Sequence, residues 1–188
     1  MKTITAYIIA GGKSSRMGTD KGLLSLNGKP IVSHIYEALV PVFGKNVIVV
    51  SSDKKYDFLG CDRIEDVIKD KGPVGGIYSA LLHSKTKLNF IVSVDVPLIS
   101  VDLIQWIIDN HKEEFQLTQV EADGKSSPLI AVYDKSLELI FKENLEQDQL
   151  RLRNVIESIK HQTLQVPEKW KFQIQNINTK EEYQRIIQ

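Results

Sequence analysis

Three short apolar runs frame this chain. Ile4 to Ala10, Asn46 to Val50 and Asn89 to Val94 are rich in β-branched residues and bounded by polar residues or glycine, so each reads as a strand. Their apolar character is continuous rather than alternating, which predicts strands covered on both faces. Between and after them, apolar residues recur with the period of a helix. Ile31 to Phe43 carries Ile31, Ile35, Ala38 and Leu39 on one stripe, Gly76 to His83 carries Ile77, Ala80 and Leu81, and Leu103 to His111 follows the third strand. This alternation predicts a parallel sheet with crossover helices.

The second half changes rhythm. Leu117 to Glu121 and Pro128 to Tyr133 flank Asp123-Gly124, a pair suited to a tight hairpin. Helices are expected at Ser136 to Leu145 and Leu150 to Ile159, strands at Thr163 to Val166 and Phe172 to Ile177, and a closing helix at Thr179 to Ile187. No repeat, low-complexity stretch or shift of composition divides the 188 residues, so a single domain over 1–188 is expected. The fold class is therefore α/β, a doubly wound, mainly parallel sheet with helices on both faces and a small antiparallel element from the second half. Such sheets bind ligands at the carboxyl ends of their strands, where the loops after Ala10, Val50 and Val94 converge.

Composition narrows the partners. Hydrophobic residues make up 42% and charged residues 26%, which suits a globular protein and excludes the signature of disorder. Twenty-four Lys plus Arg balance twenty-four Asp plus Glu, and there is no basic stripe or aromatic platform. Neither a nucleic acid nor a membrane surface is expected as a partner. Cys61, the only cysteine, leaves no internal disulfide and no Cys-rich zinc site. The apolar run at the N-terminus is far shorter than the ~20 residues of a spanning helix. A cytoplasmic protein is expected.

Candidate chemistry begins directly after the first strand. Ala10-Gly11-Gly12-Lys13-Ser14-Ser15-Arg16-Met17-Gly18-Thr19-Asp20-Lys21 combines three glycines with three cations. Glycines such as Gly11 and Gly12 let backbone N–H groups close around an anion, which cations such as Arg16 and Lys21 neutralise. A triphosphate is the natural guest, although a solvated surface loop is the alternative for such a stretch taken alone. The spacing is neither that of a P-loop nor that of a dinucleotide-binding turn.

Asp95 closes the third strand in Val94-Asp95-Val96-Pro97, a place from which a single carboxylate can hold Mg²⁺ together with phosphate oxygens. Asp66, in Ile64-Glu65-Asp66, is either a solvated carboxylate or an acceptor for the N1–H and amine of guanine, with the ribose as a further option. Gly72-Pro73-Val74-Gly75-Gly76 precedes a helix and permits close approach of a ligand. Asn176 and Asn178 lie two apart at the end of an expected strand and offer both donors and acceptors to a ligand, while Asn178 is equally suited to capping the last helix.

The segment from Ile9 to Pro30, ending in Asp20-Lys21-Gly22-Leu23-Leu24-Ser25-Leu26-Asn27-Gly28-Lys29-Pro30, resembles the signature of the molybdenum cofactor guanylyltransferases, a branch of the nucleotidyltransferases with a Rossmann-like α/β fold. Ile64-Glu65-Asp66, Gly72 to Gly76, Val94 to Pro97 and Asn176-Ile177-Asn178-Thr179 resemble further family motifs in family order. The resemblance implies transfer of GMP from GTP to molybdenum-molybdopterin, with release of pyrophosphate. It implies that Ile9, Ala10, Gly11, Lys21 and Asp66 contact GTP, that Asp95 serves both nucleotide and Mg²⁺, and that Asn176 and Asn178 lie on the molybdopterin side. Molybdopterin-delivery proteins and client molybdoenzymes would be its transient partners. Ser51, Ser52 and Asp53 stand where the family often has Asn near the nucleotide.

What is missing also constrains the mechanism. His34, His83, His111 and His161 lie outside the carboxyl-end loops, and Cys61 reads as a small buried hydrophobe, so covalent catalysis has no candidate. None is needed if the nucleophile is a phosphate, already an anion at neutral pH. The difficulty is then repulsion between anions, which Lys21, Arg16 and Mg²⁺ on Asp95 would offset. A cytidylyltransferase, or a GTP-binding delivery protein without chemistry, are the rival expectations.

Overall fold

The computed structural model describes residues 3–10 and 20–187. Nine strands form in chain order: β1 (Ile4–Ile9), β2 (Ser25–Leu26), β3 (Lys29–Pro30), β4 (Val47–Val50), β5 (Asp62–Ile64), β6 (Leu88–Ser93), β7 (Leu117–Ala122), β8 (Lys125–Asp134) and β9 (His161–Gln165). The helices are α1 (Ile31–Phe43), α2 (Gly72–His83), α3 (Val101–Asp109), α4 (Glu138–Glu146), α5 (Leu152–Glu157) and α6 (Lys180–Ile187). Seven strands make one sheet in the order β5-β4-β1-β6-β8-β7-β9, and β2 and β3 pair separately as a small antiparallel ribbon. Only β8 runs against its neighbours, β6 and β7.

The continuous apolar runs have the cause expected of them. Successive side chains of a strand point to opposite faces, and both faces of β1 are covered. Ala6 and Ile8 pack in the layer that holds Ile31, Ile35 and Leu39 of α1 and Leu103, Ile104 and Ile107 of α3. Tyr7 and Ile9 pack with Val74, Ile77 and Leu81 of α2, Phe141 and Leu145 of α4, and Val155 and Ile156 of α5. Fully burying such a side chain contributes about 1.5–3 kcal/mol, so the two layers fix β1 and with it the start of the loop that follows.

Several expectations need correction. Phe172 to Ile177 is not a strand: residues Glu168–Ile174 form a 3₁₀ helix, and the segment after it has no regular structure and does not pair in the sheet. Phe172 is 53% exposed, whereas Ile174 and Ile177, three apart, are buried. Trp170 packs against Trp106 of α3, the rings tilted by 54° with centres 5.7 Å apart, and Lys171 pairs with Glu168 at 2.8 Å across the eclipsed i,i+3 positions of the turn. Helix α2 starts at Gly72 rather than Gly76, because Gly72 takes φ +57 to redirect the chain and Pro73 is pre-set for a first helical turn. The Asp123-Gly124 hairpin forms as expected, with φ +51 and +74. The ribbon at Asn27-Gly28 and the edge strand β5 add to the elements expected from the sequence. Among the described residues, no helix is long and apolar enough to cross a membrane.

Candidate functional site

The parallel pairings bring the carboxyl ends of β1, β4, β5 and β6 to one edge, together with the end of β7 and the start of β8. Ile9 and Ala10 sit at the centre of that edge. Ala10 N donates to the Val50 carbonyl at 2.9 Å, and the Ile9 carbonyl accepts from Val94 N at 3.2 Å, so neighbours on both sides hold this backbone. Gly11, Gly12 and Arg16, expected at the phosphates, lie outside the described residues.

Where the chain is described again, it delivers Lys21 to the same edge. Lys21 Nζ donates to Asn178 Oδ1 at 2.8 Å. One residue earlier, Ile177 N donates to the Asp95 carbonyl at 2.8 Å, which ties the C-terminal segment to the end of β6. Lys21, Asp95 and Asn178 are thus brought together from three distant parts of the chain. Burial pushes the Asp95 carboxyl above its ordinary range, against the opposing pull of the Ser93 hydroxyl and the Lys21 charge. Its Oδ1 is shielded from solvent and has no hydrogen-bond partner among the described residues. A buried carboxylate oxygen without a donor is the environment a hard cation satisfies, so the residue fits Mg²⁺.

The alternative of Asn178 as a helix cap does not hold. Thr179 takes that place, its hydroxyl accepting from Glu182 N at 3.1 Å while the Glu182 carboxylate accepts from Thr179 N at 3.0 Å and Asn178 N at 2.6 Å. With the cap supplied by its neighbour, the Asn178 amide is free to face Lys21.

A second group forms on the α2 side of Ile9. A Cβ added at Gly76 would lie 2.9 Å from Ile9 Cγ2 and 3.7 Å from Asp66 Oδ1, so glycine lets α2 approach β1 and places Asp66 beside Ile9. The Ser79 hydroxyl accepts from Val67 N and donates to the Gly75 carbonyl, both at 2.9 Å, which fastens the loop carrying Asp66 to α2. Burial raises the Asp66 carboxyl above the usual range, which sets it apart from a merely solvated side chain.

Ser51 and Asp53 are occupied locally. The Ser51 hydroxyl accepts from Asp53 N at 3.1 Å, its carbonyl accepts from Arg63 at 2.9 Å, and the Asp53 carboxylate caps the 3₁₀ helix Lys54–Leu59 through Lys55 N at 3.0 Å. Cys61 is half-buried against the α1 layer, and burial raises its thiol. Each histidine has a partner apart from the Lys21 group: Leu26 for His34, Tyr7 for His83, Thr118 for His111 and Ile159 for His161.

Beside Asp95 a cleft of about 560 Å³ opens between the β7–β8 hairpin and the C-terminal segment, lined among others by Pro97, Ser126, Ser127, Asn176, Asn178 and Arg185. Asn176 is exposed there, so both asparagines reach the cleft although their segment is no strand. Ser126 and Ser127 carried no sequence signal beyond their place in the hairpin. The close approach at Gly76 had one, the Gly-Gly pair at the start of a helix.

The profile of the MobA-like NTP transferase domain family matches residues 6–164. A Flavobacterium johnsoniae protein named "probable molybdenum cofactor guanylyltransferase" is 41% identical over 182 residues, covering 97% of this chain and 95% of that protein. An Aquifex aeolicus protein of the same name is 31% identical over 186 residues, covering 99% and 91%. The crystal structure of molybdopterin-guanine dinucleotide biosynthesis protein A from Archaeoglobus fulgidus superposes with a TM-score of 0.82 at 21% identity, over 97% of this chain and 96% of that one. At that identity the likeness speaks for the fold, which agrees with the doubly wound sheet and its antiparallel element.

Proposed function

The chain belongs to the family of MobA-like NTP transferase domains, and on that premise we propose that it transfers GMP from GTP to the terminal phosphate of molybdenum-molybdopterin. A phosphate oxygen of the acceptor attacks the α-phosphorus of GTP, a new P–O bond forms, the bond to the β-phosphate breaks, and pyrophosphate leaves. The acceptor is an anion at neutral pH, so no base has to remove a proton from it. Positioning and charge must carry the rate.

The carrying observation is the Lys21 to Asn178 contact. It joins the cation that follows the glycine-rich loop, the end of β6 and the wall of the cleft at one point, where two anionic substrates would have to meet. Lys21, with Arg16 from the loop, would hold the triphosphate and spread the charge that develops on pyrophosphate. Ile9, Ala10, Gly11 and Gly12 would offer the backbone around it. Asp66 would take the guanosine, with the N1–H and amine of guanine or the ribose as its donors. Asn176 and Asn178 would contact molybdopterin in the cleft, whose volume lies in the range of small-molecule sites. Mg²⁺, when bound, would supply a further positive charge at the phosphate oxygens, and Asp95 is the residue that would hold it. A cytoplasmic setting suits an enzyme that draws on GTP and carries a lone cysteine.

The test is incubation with GTP, Mg²⁺ and molybdate-loaded molybdopterin, with mass detection of the dinucleotide and measurement of pyrophosphate. One pyrophosphate per dinucleotide is expected with GTP. Equal turnover with CTP would overturn the choice of base, and GTP binding without pyrophosphate release would overturn the chemistry.

A further inference from the structure

Lys21 is carried on a three-residue 3₁₀ turn, Lys21–Leu23, and the groups that orient this turn lie far away in sequence. Asp20 sits just before it. Asp20 Oδ1 accepts from Gly22 N at 2.9 Å and from the Tyr56 hydroxyl at 2.6 Å, while Oδ2 pairs with Lys55 Nζ. Lys55 also pairs with Asp53 at 2.9 Å, so its ammonium is held from two sides. Tyr56 is 2% exposed, and burial together with Asp20 keeps its hydroxyl protonated, hence a donor. The turn rests directly on the ring: a Cβ at Gly22 would lie 2.7 Å from Tyr56 Oη and 3.0 Å from Cε1.

These contacts do more than close a loop. A 3₁₀ turn of three residues has little stability of its own, so the direction in which it projects a side chain is set by whatever anchors its first carboxylate. Here the anchor is a rigid aromatic whose hydroxyl is fixed by packing, reinforced by a cation. Lys21 leaves this turn and reaches Asn178 and the field of Asp95.

We propose that Tyr56, through Asp20, is a positioning residue for Lys21: its hydroxyl aims the Lys21 ammonium at the point where the triphosphate and the acceptor cleft meet. Lys55 supports the same carboxylate. The inference rests on the proposed function for its catalytic consequence, but the orientation of Lys21 can be read without any substrate.

Tyr56→Phe removes the hydroxyl and keeps the ring. Without substrate, acetylation of Lys21 by an amine-specific reagent, followed by mass spectrometry, should run at least about threefold faster in this variant, as it should in Asn178→Ala, because the ammonium spends less time hydrogen-bonded. Lys29, on the separate ribbon, should react unchanged. In the transfer assay Tyr56→Phe should lower kcat roughly five- to tenfold, and in a Lys21→Ala background the same change should have no further effect. A purely structural role would give the same fold-loss in both backgrounds and leave Lys21 labelling untouched, and either result overturns the proposal. If the native protein shows no transfer at all, the proposed function fails, and the labelling alone decides whether Tyr56 orients Lys21.

Discussion

Replacing Asp95 by asparagine should make the protein more stable and far less active, and both effects come from one carboxylate. Among the described residues its Oδ1 is shielded from water without a hydrogen-bond donor, and burial raises the carboxyl despite the Lys21 charge nearby. A carboxyl with a raised folded pKa binds its proton more tightly in the folded chain than in the unfolded one. Stability therefore falls as pH climbs from about 3.9, the unfolded value, through the higher folded value, and the deficit is fully present above it. An unsatisfied buried polar group costs about 1–3 kcal/mol. A neutral isostere should recover roughly 1–2 kcal/mol, which is about 3–6 °C in Tm for a chain of this size. Calorimetry in a chelator-containing buffer at pH 7.5 should show Asp95→Asn melting above the native protein, with the gap narrowing as pH is lowered towards 4. Mg²⁺ with GTP should raise the native Tm and leave that of the variant nearly unchanged, while the variant loses most turnover. A variant that melts lower by the same amount at every pH would mean that the charge is satisfied in the fold, and the reasoning from Oδ1 would fail.

Lys21→Ala should reduce kcat/KM for GTP by about 10- to 150-fold, the equivalent of roughly 1.5–3 kcal/mol for a charge-assisted hydrogen bond, and an unchanged value removes Lys21 from the site. Gly76→Ala gains about 1 kcal/mol of helix propensity but meets Ile9 Cγ2 at 2.9 Å, an overpacking that costs about 1–3 kcal/mol. A Tm lowered by a few degrees with weaker GTP binding is expected, and a raised Tm with intact binding would refute the close-approach argument. Asn178→Ala should raise KM for both GTP and molybdopterin at an unchanged Tm, because it frees Lys21 while the Thr179–Glu182 cap persists. An effect confined to molybdopterin would show that the Lys21 contact is not used in turnover.

The parts of the fold legible from sequence are those whose signal is local. Strands β1, β4 and β6 and helix α1 announce themselves because burial on both faces, or on one stripe, dictates residue type at every position of the element. Strand β5 is three residues with Asp62 and Arg63 among them, paired on one side only, so its own sequence carries almost no pattern. Residues Glu168–Ile174 form a 3₁₀ turn although Phe172 and Ile174 alternate with polar neighbours as in a strand, and the structure buries Ile174 while leaving Phe172 exposed.

The same division runs through the site. Residue chemistry and strand ends by themselves determined the edge where a ligand would lie, the cation after the glycine-rich loop and the carboxylate at the end of β6. Tertiary structure alone decided that Lys21 meets Asn178, 157 positions later, and that Tyr56, 36 positions from Asp20, anchors the turn that carries it. The physical reason is one of range. Periodicity, capping and turn chemistry act among residues a few positions apart and leave a mark on the adjacent sequence. Contacts between remote segments follow from sheet order and from the sum of many small packing terms, none of which is written at either partner's position.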